Sequence, residues 1–197
     1  MQHAFRTAIV AVCLALFAGA ALAADAENGR KLAYACMGCH GIENYKNAYP
    51  KYSVPKLGGQ SAEYLVMALA EYEAKTRWHP TMQGYAATLT AADREDLAAY
   101  FDSLPRDKGG REPVGKAPDS VATCSACHGY DGEGTIPENP TLSGQHADYL
   151  AQALNDYRLG KRQNPIMAGF AKALTAEEIK ALSAYFSKQP GLTTPKQ

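Results

Sequence analysis

Residues 34–40 read Tyr-Ala-Cys-Met-Gly-Cys-His, and residues 122–128 read Ala-Thr-Cys-Ser-Ala-Cys-His. Both carry C-x-x-C-H, the attachment motif for c-type haem. Two thiols three positions apart on a turn reach the two vinyl groups of one porphyrin. The adjacent histidine then lies under the ring and ligates iron. Cys36 and Cys39 with His40, and Cys124 and Cys127 with His128, therefore predict two covalently bound haem c groups.

Three other chemistries use paired cysteines. A disulfide framework leaves the two adjacent histidines unexplained, and a bridge across Cys-x-x-Cys is strained. Zinc sites built from two such pairs usually have them closer than the 88 residues found here. A thioredoxin-like site needs a βαβ context, which the sequence lacks. The chain has 5 cysteines, and the fifth, Cys13, falls in a segment expected to be removed.

That segment is the secretory leader, residues 1–23. Arg6 supplies its positive end, an apolar run follows from Ala8 to Gly19, and Ala21-Leu22-Ala23 is a small-x-small cleavage site. The apolar run is short for a span of about 20 residues. Sec-type export with cleavage near Ala23 or Ala24 predicts a periplasmic protein, and loose membrane association stays open. Lipidation at Cys13 is disfavoured by Val12 before it. Composition agrees with a globular chain, with 46% apolar and 20% charged residues. The 20 basic and 20 acidic residues balance, which excludes the electrostatic footprint of a nucleic-acid binder.

The chain also repeats. Pro55–Met82 aligns with Pro140–Met167 at an offset of 85 without a gap, pairing Gln60 with Gln145, Tyr64 with Tyr149, Tyr72 with Tyr157, and Arg77 with Arg162. The match runs on through Leu97/Leu182 and Phe101/Phe186, while the C-x-x-C-H motifs match at 88. Two copies of this size are two domains rather than a solenoid, with domain 1 at 24–105, a Gly- and charge-rich linker at 106–117, and domain 2 at 118–197. Apolar residues at Tyr64, Leu65, Ala68, Leu69 and Tyr72 follow a helical stripe. Ser61 is placed to cap that helix, Thr90/Asp93 and Thr175/Glu178 read as capping boxes, and Asp25 caps a helix expected to run into Cys36. The fold class is all-α, two tandem helical domains, with no convincing strand.

The sixth iron ligand is chosen by the repeat. Met37, Met67, His79 and His146 face Ser125, Gln152, Asn164 and Ser61 in the other copy, whereas Met82 faces Met167. Met82 and Met167 are the expected axial ligands, each two residues after a proline in a segment read as irregular. His79 is the rival in the first copy. A thioether opposite imidazole raises the reduction potential, and filling both axial positions leaves no open site for peroxide or oxygen. Arg77 and Arg162 are read either as holders of haem propionates or as solvated side chains.

These motifs, with the P-x-L-x-G-Q runs at 55–60 and 140–145 and the H-P-x-M and N-P-x-M loops, resemble the dihaem cytochrome c4 family over essentially the whole mature chain. The resemblance implies two class I cytochrome c domains in tandem. It implies that the carbonyls of Pro55 and Pro140 orient His40 and His128, and that the propionate edges of the haems face each other across the domain boundary. It also implies a function: redox protein partners, with electrons shuttled from a bc1-type or other donor to a terminal oxidase, often cbb3-type. The competing readings are an enzyme and a subunit. A dihaem peroxidase needs an open axial site and a longer chain, and a His/Cys-ligated dehydrogenase needs a spare mature thiol. An electron-accepting subunit of a larger complex, such as a flavocytochrome sulfide dehydrogenase, is separated poorly from a free carrier. Oligomeric state is not legible. The Gly41–Lys56 loop is lysine- and tyrosine-rich and the Gly129–Thr141 loop acidic. This contrast reads either as ordinary loop variation or as two opposite fields for two partners.

Overall fold

The computed structural model describes residues 23–107 and 112–196. The expected leader, apart from Ala23, and the middle of the expected linker lie outside the described residues. The first copy contains α1 (Ala26–Leu32), α2 (Tyr34–His40), α3 (Ala62–Glu73), α4 (Pro80–Ala86) and α5 (Ala91–Ser103). The second contains α6 (Val121–His128), α7 (Ala147–Arg158), α8 (Pro165–Ala173) and α9 (Ala176–Phe186). Among the described residues, extended pairing is limited to isolated bridges, and no helix is long and apolar enough to cross a membrane.

Local signals explain the helix starts. Asp25 accepts from the backbone N–H groups of Glu27 and Asn28 and caps α1. Both capping boxes form, at Thr90/Asp93 and Thr175/Glu178. The single helix expected from Asp25 to Cys36 is instead two. Ala33 ends α1, and the Cys36 N–H donates to the Ala33 carbonyl at 2.9 Å. This three-residue bond tightens the chain at the junction and restarts it as α2. Crossing of α1 and α5 needs the glycine at position 29, because a Cβ there would come within 1.9 Å of the Asp96 carbonyl oxygen.

Each copy has its own small core. In the first, Met37, Leu65, Leu97 and Phe101 are buried together; in the second, Val121, Leu150, Leu182 and Phe186 are. Leu65/Leu150, Leu97/Leu182 and Phe101/Phe186 are pairs of the 85-residue repeat. Met37 is therefore core filler, a common use of its flexible side chain.

The two copies meet through polar contacts that obey the same offset. The Lys56 N–H donates to Gln145 Oε1 at 3.0 Å, and Gln145 Nε2 returns a bond to the Lys56 carbonyl at 3.0 Å. The Thr141 N–H donates to Gln60 Oε1 at 2.9 Å, and Gln60 Nε2 donates to the Thr141 carbonyl at 3.0 Å. Shifting either pair by 85 produces the other, so the domains are related by a pseudo-two-fold axis. On that axis lies the antiparallel bridge between Arg77 and Arg162. It is flanked by the symmetric bonds Trp78 N–H to Lys161 O (2.8 Å) and Gln163 N–H to Thr76 O (2.9 Å).

The C-terminal tail also crosses the boundary. Thr193 pairs with Gly58 of the first domain in both directions, at 3.0 and 3.1 Å, while the Leu192 N–H donates to Ser143 O of the second at 2.9 Å. Arg106, at the start of the linker, reaches Glu133 at 2.8 Å and Thr141 Oγ1 at 3.1 Å. Linker and tail thus both fasten one domain to the other.

Gln60 and Gln145 are 4% and 3% exposed, so removing either amide leaves a backbone N–H and C=O without these partners, buried at Thr141 and half-buried at Lys56. Gln145→Ala is expected to destabilise the holoprotein by roughly 2 kcal/mol, read as a lower denaturant midpoint. An unchanged midpoint would show that the reciprocal pair contributes nothing to stability.

Candidate haem sites

The cysteine pairs sit on α2 and α6, where residues three apart share a helix face. Cys36, Cys39, Cys124 and Cys127 all carry free thiols. Before haem attachment, burial pushes the Cys36 and Cys124 thiols up. Among the described residues no cluster of three His, Cys, Asp or Glu side chains is arranged to hold a metal ion. The two C-x-x-C pairs therefore do not converge on a zinc site.

His40 and His128 end α2 and α6. His40 Nδ1 lies 2.8 Å from the Pro55 carbonyl oxygen, and His128 Nδ1 lies 3.1 Å from that of Pro140. A carbonyl only accepts, so Nδ1 carries the proton and the lone pair of Nε2 is left free. Burial lowers the affinity of both rings for a second proton, against the opposing effect of the proline carbonyls. Each ring is thus a neutral imidazole in one tautomer and one orientation, the form that ligates iron.

Met82 and Met167 are not in irregular chain. Each lies in the first turn of a short helix, α4 or α8, opened by a proline at its first position. The Met167 N–H donates to Asn164 Oδ1 at 3.0 Å, and the Met82 N–H donates to His79 Nδ1 at 3.3 Å. His79 and Asn164 are matched positions doing one job, capping the helix that presents the methionine. His79 Nδ1 is an acceptor, so its ring is neutral, and burial lowers its proton affinity further. Met82 and Met167 are both half-buried.

Arg77 and Arg162 are not solvated. They are 2% and 6% exposed and lie at the domain boundary. Arg77 Nη1 meets Glu71 at 3.3 Å, and Arg162 Nε comes within 3.9 Å of Asp156. The Arg77 guanidinium also sits over the Tyr64 and Tyr72 rings, and the Arg162 guanidinium over those of Tyr149 and Tyr157. Arg77 Nε and Arg162 Nε have no hydrogen-bond partner. Two buried cations, each with a free N–H, are the complement of a carboxylate, which is what a haem propionate supplies. Unbridged thiol pairs, neutral imidazoles with Nε2 free and these unpaired guanidinium donors all fit a haem in each copy.

The phenols around this cluster had been legible as a helix face and no more. Tyr149 accepts from Arg77 Nη2 at 3.2 Å and from Arg162 Nη2 at 3.3 Å, and Tyr64 accepts from Arg77 Nη2 at 2.9 Å. Burial would raise the Tyr149 hydroxyl, but the Arg162 and Arg77 guanidinium groups outweigh it and bring it down to about 8. Burial dominates at Tyr64 and pushes its hydroxyl up. The pairing of Tyr64/Tyr149, Glu71/Asp156 and Arg77/Arg162 in the repeat is the sequence signal that marks this group. The lysine-rich loop is also partly an interface: Lys46 bonds Asp148 at 3.0 Å and Lys56 Nζ bonds the Gly144 carbonyl at 2.6 Å. Two of its cations are thereby held by the second domain.

The family model for cytochrome c matches the chain twice, over residues 26–105 and 116–189. Cytochrome c4 of Azotobacter vinelandii is 36% identical over 188 residues, spanning 83% of this chain and 88% of that protein. A thiosulfate dehydrogenase electron acceptor of Stutzerimonas stutzeri (strain A1501) is 30% identical over 190 residues, spanning 83% and 87%. The crystal structure of reduced recombinant cytochrome c4 from Pseudomonas stutzeri has a TM-score of 0.67 at 33% identity, covering 85% of this chain and 100% of that one.

The capping role of His79 makes a prediction. His79→Asn copies the second domain and is expected to leave thermal stability and the ferric thioether absorption band unchanged. His79→Ala removes the acceptor and is expected to lower stability by about 1 kcal/mol. Loss of an axial ligand in His79→Asn, seen as a high-spin ferric spectrum, would overturn the capping role.

Proposed function

This chain belongs to the dihaem cytochrome c4 family, and we propose that it works as a periplasmic shuttle, taking single electrons from a bc1-type or other donor and delivering them to a terminal oxidase such as a cbb3-type enzyme. It is an electron-transfer cytochrome with two covalently bound haem c groups, one at Cys36/Cys39 and one at Cys124/Cys127. The secretory leader read from the sequence supports the compartment.

Bound haem iron supplies a one-electron ferric/ferrous couple. In each domain the protein fixes the imidazole from one side, through His40 held by Pro55 and His128 held by Pro140. It also offers a thioether, Met82 or Met167, on a proline-started, capped helix turn. A capped first turn holds the thioether without the strain of a loop, which suits a site that must change little between oxidation states. Ligation by His40 with Met82, and by His128 with Met167, would raise the reduction potential and leave no site at iron for a substrate. The single observation that carries the carrier reading is this duplication: the same ligand set, with the same histidine anchor and the same capped methionine turn, occurs in both domains. An enzyme that binds a substrate at iron would set one site apart. Arg77 and Arg162, whose buried Nε–H groups are unpaired, would hold the propionates of bound haem and keep those carboxylates ionised.

A second reading has its own support. A relative 30% identical over most of its length is a thiosulfate dehydrogenase electron acceptor. This favours use of the same two-haem unit as the electron-accepting partner of a dehydrogenase, as also considered for a flavocytochrome sulfide dehydrogenase. Co-purification of the chain with a dehydrogenase subunit would decide for it.

A redox-titrated absorption spectrum tests the carrier reading. Two low-spin haems with the ferric thioether band, neither binding cyanide in the resting state, are expected; a high-spin resting haem would sink it. Met167→His is expected to lower the potential of the second haem by about 0.1 V or more, within the ~0.8 V that axial ligands span, and to leave the first nearly unchanged.

A further inference from the structure

Tyr64 and Tyr149 occupy matched positions on α3 and α7, yet the pseudo-two-fold axis does not hold for them. Tyr64 OH takes a bond from one arginine, that of its own domain. Tyr149 OH takes one from Arg77 across the boundary and one from Arg162 beside it. One phenol oxygen therefore serves as acceptor for both buried guanidinium groups. Its own proton has no acceptor among the described residues.

The charged and titratable neighbours are few and come from every element packed on it. From the first domain, Arg77 carries Glu71 as its carboxylate, and Tyr64 and Tyr72 lie around its guanidinium. Tyr52 leans on the Tyr149 ring at 6.2 Å, and His79 meets Tyr52 edge-on at 6.3 Å. From the second domain, Arg162 carries Asp156 and sits over Tyr157. Within the chain, two cations against two carboxylates balance with Tyr149 protonated and leave one negative charge with Tyr149 ionised; the propionates that Arg77 and Arg162 would hold add negative charge at the Nε–H groups and leave both Nη2 donors on Tyr149. Two donors converging on one oxygen favour the ionised form.

We propose that Tyr149 couples both haem sites to a single proton: held between the arginine of each domain, it places or removes one negative charge at their shared boundary. A negative charge there stabilises ferric iron relative to ferrous, so ionisation lowers both reduction potentials, and reduction of either haem raises the affinity of Tyr149 for its proton. The transfer is balanced: the proton passes to bulk water as pH rises, and no other oxidant or reductant takes part. The window follows from the hydroxyl held at about 8, against about 10 for a free phenol. Potentials are level below that window and fall as pH rises through it.

The inference rests on the two-haem reading for its electrochemical readout, and the tyrosine titration tests it separately. In ferrous holoprotein labelled with carbon-13 at tyrosine Cζ, one tyrosine resonance is expected to titrate near pH 8. That titration should vanish in Tyr149→Phe and persist in Tyr64→Phe. Over the same range the midpoint potentials of the parent and of Tyr64→Phe should fall with pH, and those of Tyr149→Phe should stay flat. The parent titration needs no variant to fold. The proposal is overturned if every tyrosine keeps its proton into the ordinary range, as it would if haem carboxylates took up the whole guanidinium charge. It is equally overturned if Tyr149→Phe leaves the pH dependence of the potentials intact. Failure to observe two reversible one-electron waves would instead count against the carrier reading, whatever the tyrosine does.

Discussion

A proline carbonyl accepting a hydrogen bond from histidine Nδ1 is the constraint on which each half of this protein depends. It selects the tautomer, orients the ring and keeps Nε2 available. The run that contains this proline does more. Pro55 anchors His40, the Lys56 backbone pairs with the side chain of Gln145, Gly58 pairs with Thr193, and Gln60 pairs with the Thr141 backbone. Six residues therefore set the ligand on one side and the other domain on the other. The second copy repeats most of this with Pro140, Thr141, Ser143 and Gln145. The same short run thus contacts both the histidine ring of its own copy and the other domain.

The domain boundary is polar where an ordinary core would be apolar. Each copy buries only a handful of large side chains, as expected for units of about 85 residues, and a covalently attached cofactor supplies much of the missing interior. The boundary between them is built from reciprocal amide bonds and two buried arginines. Burying like charges side by side is costly unless each is paired. Here the compensation is shared among Glu71, Asp156, four tyrosine rings and the unpaired N–H groups that suit carboxylates. The arrangement buries two arginines and their two carboxylates together at the boundary between the domains.

Duplication explains the likeness of the two sites, and the departures from it give them different surroundings. His79 replaces Asn164 as a helix cap, and Tyr149 serves two arginines where Tyr64 serves one. The lysine-rich loop is one such departure. Its contrast with the acidic loop is reduced by Lys46 and Lys56 turning inward to the second domain.

What the sequence determined by itself was the chemistry whose geometry is local. Attachment of haem requires two cysteines and a histidine within five positions, capping requires a polar side chain at a fixed offset, and helical burial repeats every three or four residues. Cys36, His40, Cys124, His128, the capping boxes and the two-domain all-α fold were readable for that reason. Register between copies distinguished Met82 and Met167 from the other methionines, although not the capped turns on which they sit. The tertiary structure decided whatever depended on residues far apart in the chain. Burial of Arg77 and Arg162 follows from the meeting of segments 85 residues apart, and the sharing of Tyr149 from a small departure from two-fold symmetry. Contacts of this kind leave no periodic trace in one copy, because their energy comes from desolvation and pairing at a surface that exists only when both domains are folded together.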